Sequence, residues 1–161
     1  MRVLGIDPGS RRTGWGVVQL EGTRLRHIGA GTIAVPEKLA LPKRLHLIHR
    51  ELQRIISEHE PEVVAVEEIF FAKYANAALK LGHARGVALL VAAESEIEVH
   101  EYPPAIVKRT VVGRGGADKV QVGRLVTALL GLQAPPEEDA ADALAVAITH
   151  IQASRSKAIR R

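Results

Sequence analysis

Acidic side chains at the ends of apolar runs are the first chemistry this sequence offers. Asp7 closes the run RVLGID (Arg2–Asp7), just before the turn Pro8-Gly9, and Glu67 and Glu68 stand near the end of VVAVEEI (Val63–Ile69). Asp139 and Asp142 are spaced i, i+3 in DAADALAVAI, which puts both carboxylates on one face of an otherwise apolar helix. A carboxylate ending a buried strand is costly unless it is paired or binds a cation. With no His or Cys beside them, these acids form a hard oxygen donor set that suits Mg²⁺ or Mn²⁺ rather than zinc. Two such ions roughly 3.5–4 Å apart can activate a water and stabilise the leaving oxygen of a phosphodiester. Taken singly, Asp7 could cap a turn and Asp139 could serve a helix N-terminus. Jointly, at two strand ends and a helix face, they point to a metal site, not to the acid–base pair of a glycosidase. Glu67 and Glu68 stay tied at this level, because adjacent strand residues face opposite ways.

The elements that must carry these acids are readable from period and punctuation. Arg2–Asp7, Gly14–Leu20 and Arg24–Val35 follow one another through short turns, which predicts an antiparallel meander. Leu45, Ile48, Leu52 and Ile55 recur at three and four, so Leu41–Glu58 reads as an amphipathic helix. Val63–Ile69 and Ile97–Glu101 read as two further strands. Ala75–Glu94 reads as a long helix that is apolar around most of its circumference, with Gly82 and Gly86 on a face where two backbones could approach closely. Pro103–Val112 and Lys119–Leu130 are expected helices around a glycine turn. Glu137–Ile151 is the last, opened by Pro135-Pro136 and by acids that suit its N-terminal dipole. The order, three strands and then helices alternating with two more, predicts a mixed α/β layer.

The chain of 161 residues suits one domain with a sizeable core. Its 47% apolar content lies far from disorder. The absence of cysteine excludes disulfide scaffolds, thiolate metal sites and cysteine nucleophiles. No charge-free stretch approaches the ~20 residues of a membrane-spanning helix, and MRVLGIDPG lacks the long apolar core of a secretory signal. A cytoplasmic protein with no membrane partner is expected. The net charge is +4, and residues 153–161 hold Arg155, Lys157, Arg160 and Arg161 with no acid, so the remainder is neutral. Such a tail suits a polyanion partner and equally a plain solubilising terminus.

Four blocks carry a resemblance. GIDPGSRRTGWGV (Gly5–Val17), VEEIFFAKYANAALKLGHARG (Val66–Gly86), VKRTVVGRGGADKVQV (Val107–Val122) and DAADALAVAITH (Asp139–His150), in that order, resemble RuvC-type Holliday-junction resolvases over residues 1–151. The resemblance implies a ribonuclease H-like fold: a mixed five-stranded sheet, three strands of it an antiparallel meander, flanked by helices. Residues 1–151 would form the nuclease domain and 152–161 a basic tail. It implies a homodimeric, Mg²⁺-dependent crossover junction endodeoxyribonuclease that makes two symmetric nicks across a four-way DNA junction in recombination and repair. A RuvA–RuvB branch-migration complex is its implied partner.

Residue by residue, the resemblance matches the family carboxylates to Asp7, Glu67, Asp139 and Asp142, choosing Glu67 over Glu68, around two Mg²⁺ ions for which Mn²⁺ would substitute. Lys108 and Lys119 match basic positions near the scissile phosphate, Lys119 in a catalytic role, as suits a point charge that neutralises a transition state. Phe70 matches an aromatic at the junction centre, where a stacked base is worth about 1–3 kcal/mol; by alternation, one of Phe70 and Phe71 faces the core. Arg114 and the tail are expected to grip backbone phosphates, so affinity should fall as salt rises. Asp118 reads as a charge partner of Lys119 or a helix N-cap, and His83 as a packed or interface histidine. The Gly82/Gly86 face is the expected dimer contact, a two-fold axis suiting the near two-fold symmetry of a four-way junction.

Three rival readings compete. A phosphate-loop ATPase or sugar kinase shares a turn like DPGSRRTG but needs two lobes. A ribonuclease H-like RNA-processing nuclease shares a similar start but not ALKLGHARG. A non-catalytic junction-binding module would have no use for four filled acid positions.

Overall fold

The computed structural model describes residues 1–68, 75–113 and 118–159, and the side chains at 75, 77, 119 and 157–159 lie outside that description. The chain runs β1 (Arg2–Asp7), β2 (Arg12–Glu21), β3 (Arg24–Ala34), α1 (Leu41–His59), β4 (Val63–Glu67), α2 (Ala75–Glu94), β5 (Glu98–Tyr102), α3 (Pro104–Val112), α4 (Lys119–Leu130) and α5 (Glu138–Ile159). The strands form one sheet in the order β3-β2-β1-β4-β5. β1, β2 and β3 make the expected antiparallel meander. β4 joins β1 in parallel, with Ile6 opposite Val66, and β5 joins β4 in parallel.

Strand alternation sorts the core into two layers. Leu4, Ile6, Val17, Val64 and Val66 pack with Ile48, Leu52 and Ile55 of α1 and Ala84, Ala88, Val91 and Ala92 of α2. Val3, Val18 and Ala65 face the other way, into a cluster with α3, α4 and α5. Full burial of each large aliphatic side chain contributes about 1.5–3 kcal/mol. The same parity sends Asp7, two residues beyond Gly5, and Glu67, two beyond Ala65, toward the α5 side.

The sheet receives α5 at unusually short range. A Cβ at Gly5 would strike the carbonyl oxygen of Ala143 and stand 2.7 Å from the amide of Ala147. One at Gly14 would strike the Asp139 backbone, and one at Gly16 would come within 2.6 Å of Leu144 Cγ. Three glycines on β1 and β2 therefore form a floor on which the alanine-rich helix lies, backbone against backbone. Ala140, Ala141 and every residue from Ala143 to Ile151 are buried.

Local signals explain most element ends. Asp118 is the N-cap of α4: its carboxylate accepts from the Gln121 amide, while the Gln121 side chain accepts from the Asp118 amide. Gly113 and Gly131 end α3 and α4 at φ 81° and 63°, where glycine alone is unstrained. β2 starts two residues before the expected Gly14, β5 is shifted by one, and two elements depart by two residues or more at their C-terminal ends. α5 runs on to Ile159, past the end expected at Ile151 and across the boundary drawn there, with the Ser154 hydroxyl bonded to the His150 carbonyl at 2.9 Å. β4 ends at Glu67, with Glu68 already outside the strand, and Ile69, the last residue of the expected run, lies outside the described residues.

Candidate active site

Asp7 and Glu67 end adjacent parallel strands one step beyond the Ile6–Val66 pair, so the two carboxyl groups share one edge of the sheet. They are hydrogen-bonded to each other. Asp142, on the first turns of α5, faces them from across the glycine floor. Asp7, Glu67 and Asp142 line one cavity of about 260 Å³ together with Pro104, Val107 and Lys108 of α3 and Val122 of α4. Glu68, which the sequence left level with Glu67, is exposed, and its amide donates to the Tyr102 carbonyl at 2.9 Å.

The electrostatics are those of anions brought together. The Asp7 carboxyl is pushed up to about 8, first by burial and then by the negative charge of Glu67, Asp142 and Asp139 in that order. Asp139 is the outlying member of the set. Its Oδ2 accepts from Arg12 Nε at 2.6 Å, and the same guanidinium reaches Glu137 at 3.4 Å. Among the described residues, no three His, Asp or Glu side chains close around a common point as they stand. The donor set nonetheless fits a hard divalent cation: it is all carboxylate oxygen, and a cation would remove the cost of ionising Asp7. Asp7, Glu67 and Asp142, with Asp139 beside them, are the residues that would hold it.

Supporting groups fix the turn after Asp7. The Thr13 hydroxyl donates to the Gly9 carbonyl at 2.8 Å and accepts from its amide at 3.3 Å. Arg44, buried in α1, donates to the Ser10 carbonyl at 3.2 Å. Arg12, Thr13 and Arg44 escaped the sequence reading. The one available signal was the pair Arg11-Arg12 in the turn behind a strand-end acid. Alternation separates the two: Arg11 pairs with Glu37 and Arg12 with the α5 acids.

Of the expected nucleic-acid contacts, Lys108 is at the cavity, half-buried. Lys119 is the first residue of α4, directly after its N-cap, and its side chain lies outside the described residues. Phe70, Phe71 and Arg114 lie outside them too. His83 is exposed rather than packed, on the same open side of α2 as Gly82 and Gly86. Among the described residues no helix is long and apolar enough to cross a membrane.

Comparison with known proteins gives one consistent result. Residues 3–150 match the family model for crossover junction endodeoxyribonuclease RuvC. The chain is 54% identical over 154 residues to the RuvC protein of Sorangium cellulosum, covering 96% of this chain and 86% of that one. To the RuvC protein of Afipia carboxidovorans it is 53% identical over 161 residues, covering 100% and 94%. Among solved structures, Thermus thermophilus RuvC in complex with a Holliday junction substrate superposes with a TM-score of 0.91 at 36% identity, over 98% of this chain and 96% of that one. The yeast mitochondrial resolvase Ydc2, at 14% identity and a TM-score of 0.64, shares the fold. The family-model match across residues 3–150, with 54% identity to a relative over 96% of the chain, places this protein in the RuvC family of crossover junction endodeoxyribonucleases.

Proposed function

We propose that this protein is an endodeoxyribonuclease that resolves four-way DNA junctions by paired symmetric nicks, in recombination and repair. The observation that carries the reading is the convergence of Asp7, Glu67 and Asp142 with Lys108 at one cavity, in a chain similar over 98% of its length to a resolvase solved on its junction substrate. Asp7, Glu67, Asp139 and Asp142 would hold two Mg²⁺ ions, or Mn²⁺ in their place. Divalent ions there supply the positive charge that lets water attack phosphorus and the leaving oxygen depart. Lys108 and Lys119 serve the scissile phosphate as point charges, Lys119 offsetting charge that develops in the transition state. Phe70 meets unstacked bases at the junction centre, and Arg114 holds backbone phosphate. Residues 1–151 carry the nuclease domain, and the basic residues after 151, into which α5 continues, add phosphate contacts.

Two such sites act together through a homodimer. Leu79, Gly82, Gly86 and Leu90 fall along one side of α2, with Leu79 64% and Leu90 52% exposed. Among the described residues nothing lies within 4 Å of a Cβ built at Gly82 or Gly86. A second copy seated on this stripe would cover it and relate the two sites by the two-fold axis that a four-way junction shares. The RuvA–RuvB branch-migration complex is the further partner that family membership supports.

The test is nicking of a labelled four-way junction beside linear duplex, single-stranded DNA and RNA, with Mg²⁺ and with chelator. Paired nicks in the junction alone, only with metal, are expected. Asp7→Asn should lower cleavage by about a hundredfold to a thousandfold or more and leave junction binding intact. Cleavage of RNA alone would move the protein to the RNA-processing nucleases. Tight junction binding without cleavage under any metal would leave a binding module.

A further inference from the structure

The acids at this site are kept from repelling one another by two different means. Burial and the neighbouring carboxylates favour the neutral form of Asp7. Asp139 holds a guanidinium: Arg12, the first residue of β2, donates from Nε to Asp139 Oδ2 at 2.6 Å and from Nη2 to Glu137 Oε2 at 3.4 Å. Glu137 is held in turn by the Thr32 hydroxyl, which donates to the same oxygen at 3.0 Å. The arginine is thus anchored at both ends of a short chain running from β3 to the start of α5. The backbone beneath it has no slack, since Gly14 lies against the Asp139 main chain. The Arg12 side chain is half exposed while that of Asp139 is 24% exposed, so the contact is open to displacement from the solvent side without unfolding any element.

We propose that Arg12 is a positioning residue that serves as the internal counter-ion of Asp139, occupying this carboxylate until a divalent cation displaces it and thereby setting the metal concentration at which the site fills. The inference rests on the reading of Asp139 and Asp142 as metal ligands. A carboxylate already bonded to a cation offers less negative potential to a second one, and the guanidinium repels any divalent ion approaching the same group. The arrangement also accounts for the outlying position of Asp139: the side chain follows its charge partner, and the three remaining acids share the cavity without it.

The experiment is direct titration of the full-length, DNA-free protein with Mn²⁺, following the free-ion signal by electron paramagnetic resonance. Arg12→Gln should bind Mn²⁺ about threefold to tenfold more tightly than wild type. Arg12→Lys, which keeps the charge, should remain close to wild type. In an Asp139→Asn background, Arg12→Gln should tighten Mn²⁺ binding clearly less than it does in the wild-type background, because the main part of its effect passes through the Asp139 contact. Unchanged or weaker Mn²⁺ binding by Arg12→Gln would overturn the proposal. Asp142→Asn separates this failure from a failure of the site itself. If it weakens Mn²⁺ binding while Arg12→Gln does not tighten it, only the role of Arg12 falls. If Asp142→Asn leaves Mn²⁺ affinity untouched, the metal site is misplaced and the proposal goes with it.

Discussion

α5 and α2 are both long, alanine-rich and apolar over most of their surface, yet they reach that composition for different reasons. α5 is enclosed by its own chain, with β1, β2 and β3 beneath it and α3 and α4 against its other side. From Ala143 to Ile151 no residue is exposed. Among the described residues, α2 is enclosed on one side only. Ala84, Ala88, Val91 and Ala92 pack on the sheet and α1, while Leu79, Gly82, Gly86 and Leu90 look outward. The small residues tell the same story in reverse. The glycines facing α5 are filled to contact by helix backbone, whereas those within α2 meet open space. A helix that is hydrophobic all round requires two neighbours; among the described residues α5 finds both, and α2 finds one.

Matched substitutions would break or sharpen that contrast. The largest effect is expected at the filled glycine. Gly5→Ala forces a methyl into the Ala143 carbonyl and the Ala147 amide, and backbone on both sides cannot move aside cheaply. A loss of about 2–3 kcal/mol in denaturant unfolding is expected, with nicking reduced because Asp142 shifts with its helix. Gly82→Glu, at an empty glycine, should leave the unfolding midpoint nearly unchanged and convert dimers to monomers in sedimentation. Retained dimers would remove α2 as the contact.

A smaller effect separates the acid-bearing face from the rest of the molecule by pH. In metal-free protein, Asp7 keeps a proton from its ordinary 3.8 up to about 8, a window in which the unfolded chain has released it. Stability from this group is complete below that window and is lost as pH rises through about 8. The slope is at most about 1.4 kcal/mol per pH unit for the one proton. Asp7→Asn should flatten this decline and raise the melting temperature of chelated protein at pH 8, by about 2–4 °C for each kcal/mol of repulsion relieved. Mg²⁺ should stabilise wild type more at pH 8 than at pH 6. An Asp7→Asn profile parallel to wild type would show that the acids do not strain the fold.

The sequence disclosed what is local or periodic. β1, α2 and α4 lie where period and punctuation placed them, because strand alternation, the Asp118 cap and the Gly131 stop act over a few residues. The end of α5 was missed because the apolar period fades after Ile151 into Ser154, Arg155 and Ser156, although no glycine or proline stops the helix there. Asp7 and Asp142 were legible as acids in positions where burial would be costly, while Glu67 stood level with Glu68 until the family resemblance chose it. The turning of Asp139 onto Arg12 was not, since those residues are 127 positions apart and no local rule links them. Nor could composition tell the enclosed helix from the half-open one, because both coverings demand the same side chains.

The alternation of β1 has a consequence for how such a protein can change over time. Gly5 admits α5, and Asp7, on the same face, supplies the chemistry; in β4, Ala65 and Glu67 repeat the arrangement. Core and site are thus written in the same odd-numbered residues, with the α1 and α2 layer in the even ones. A one-residue insertion or deletion in either strand would turn the acid away from its partners and drive a large aliphatic side chain into the floor beneath α5. Within β1 and β4, lineages can drift by substitution but not by length, and no intermediate retains the fold without the active site.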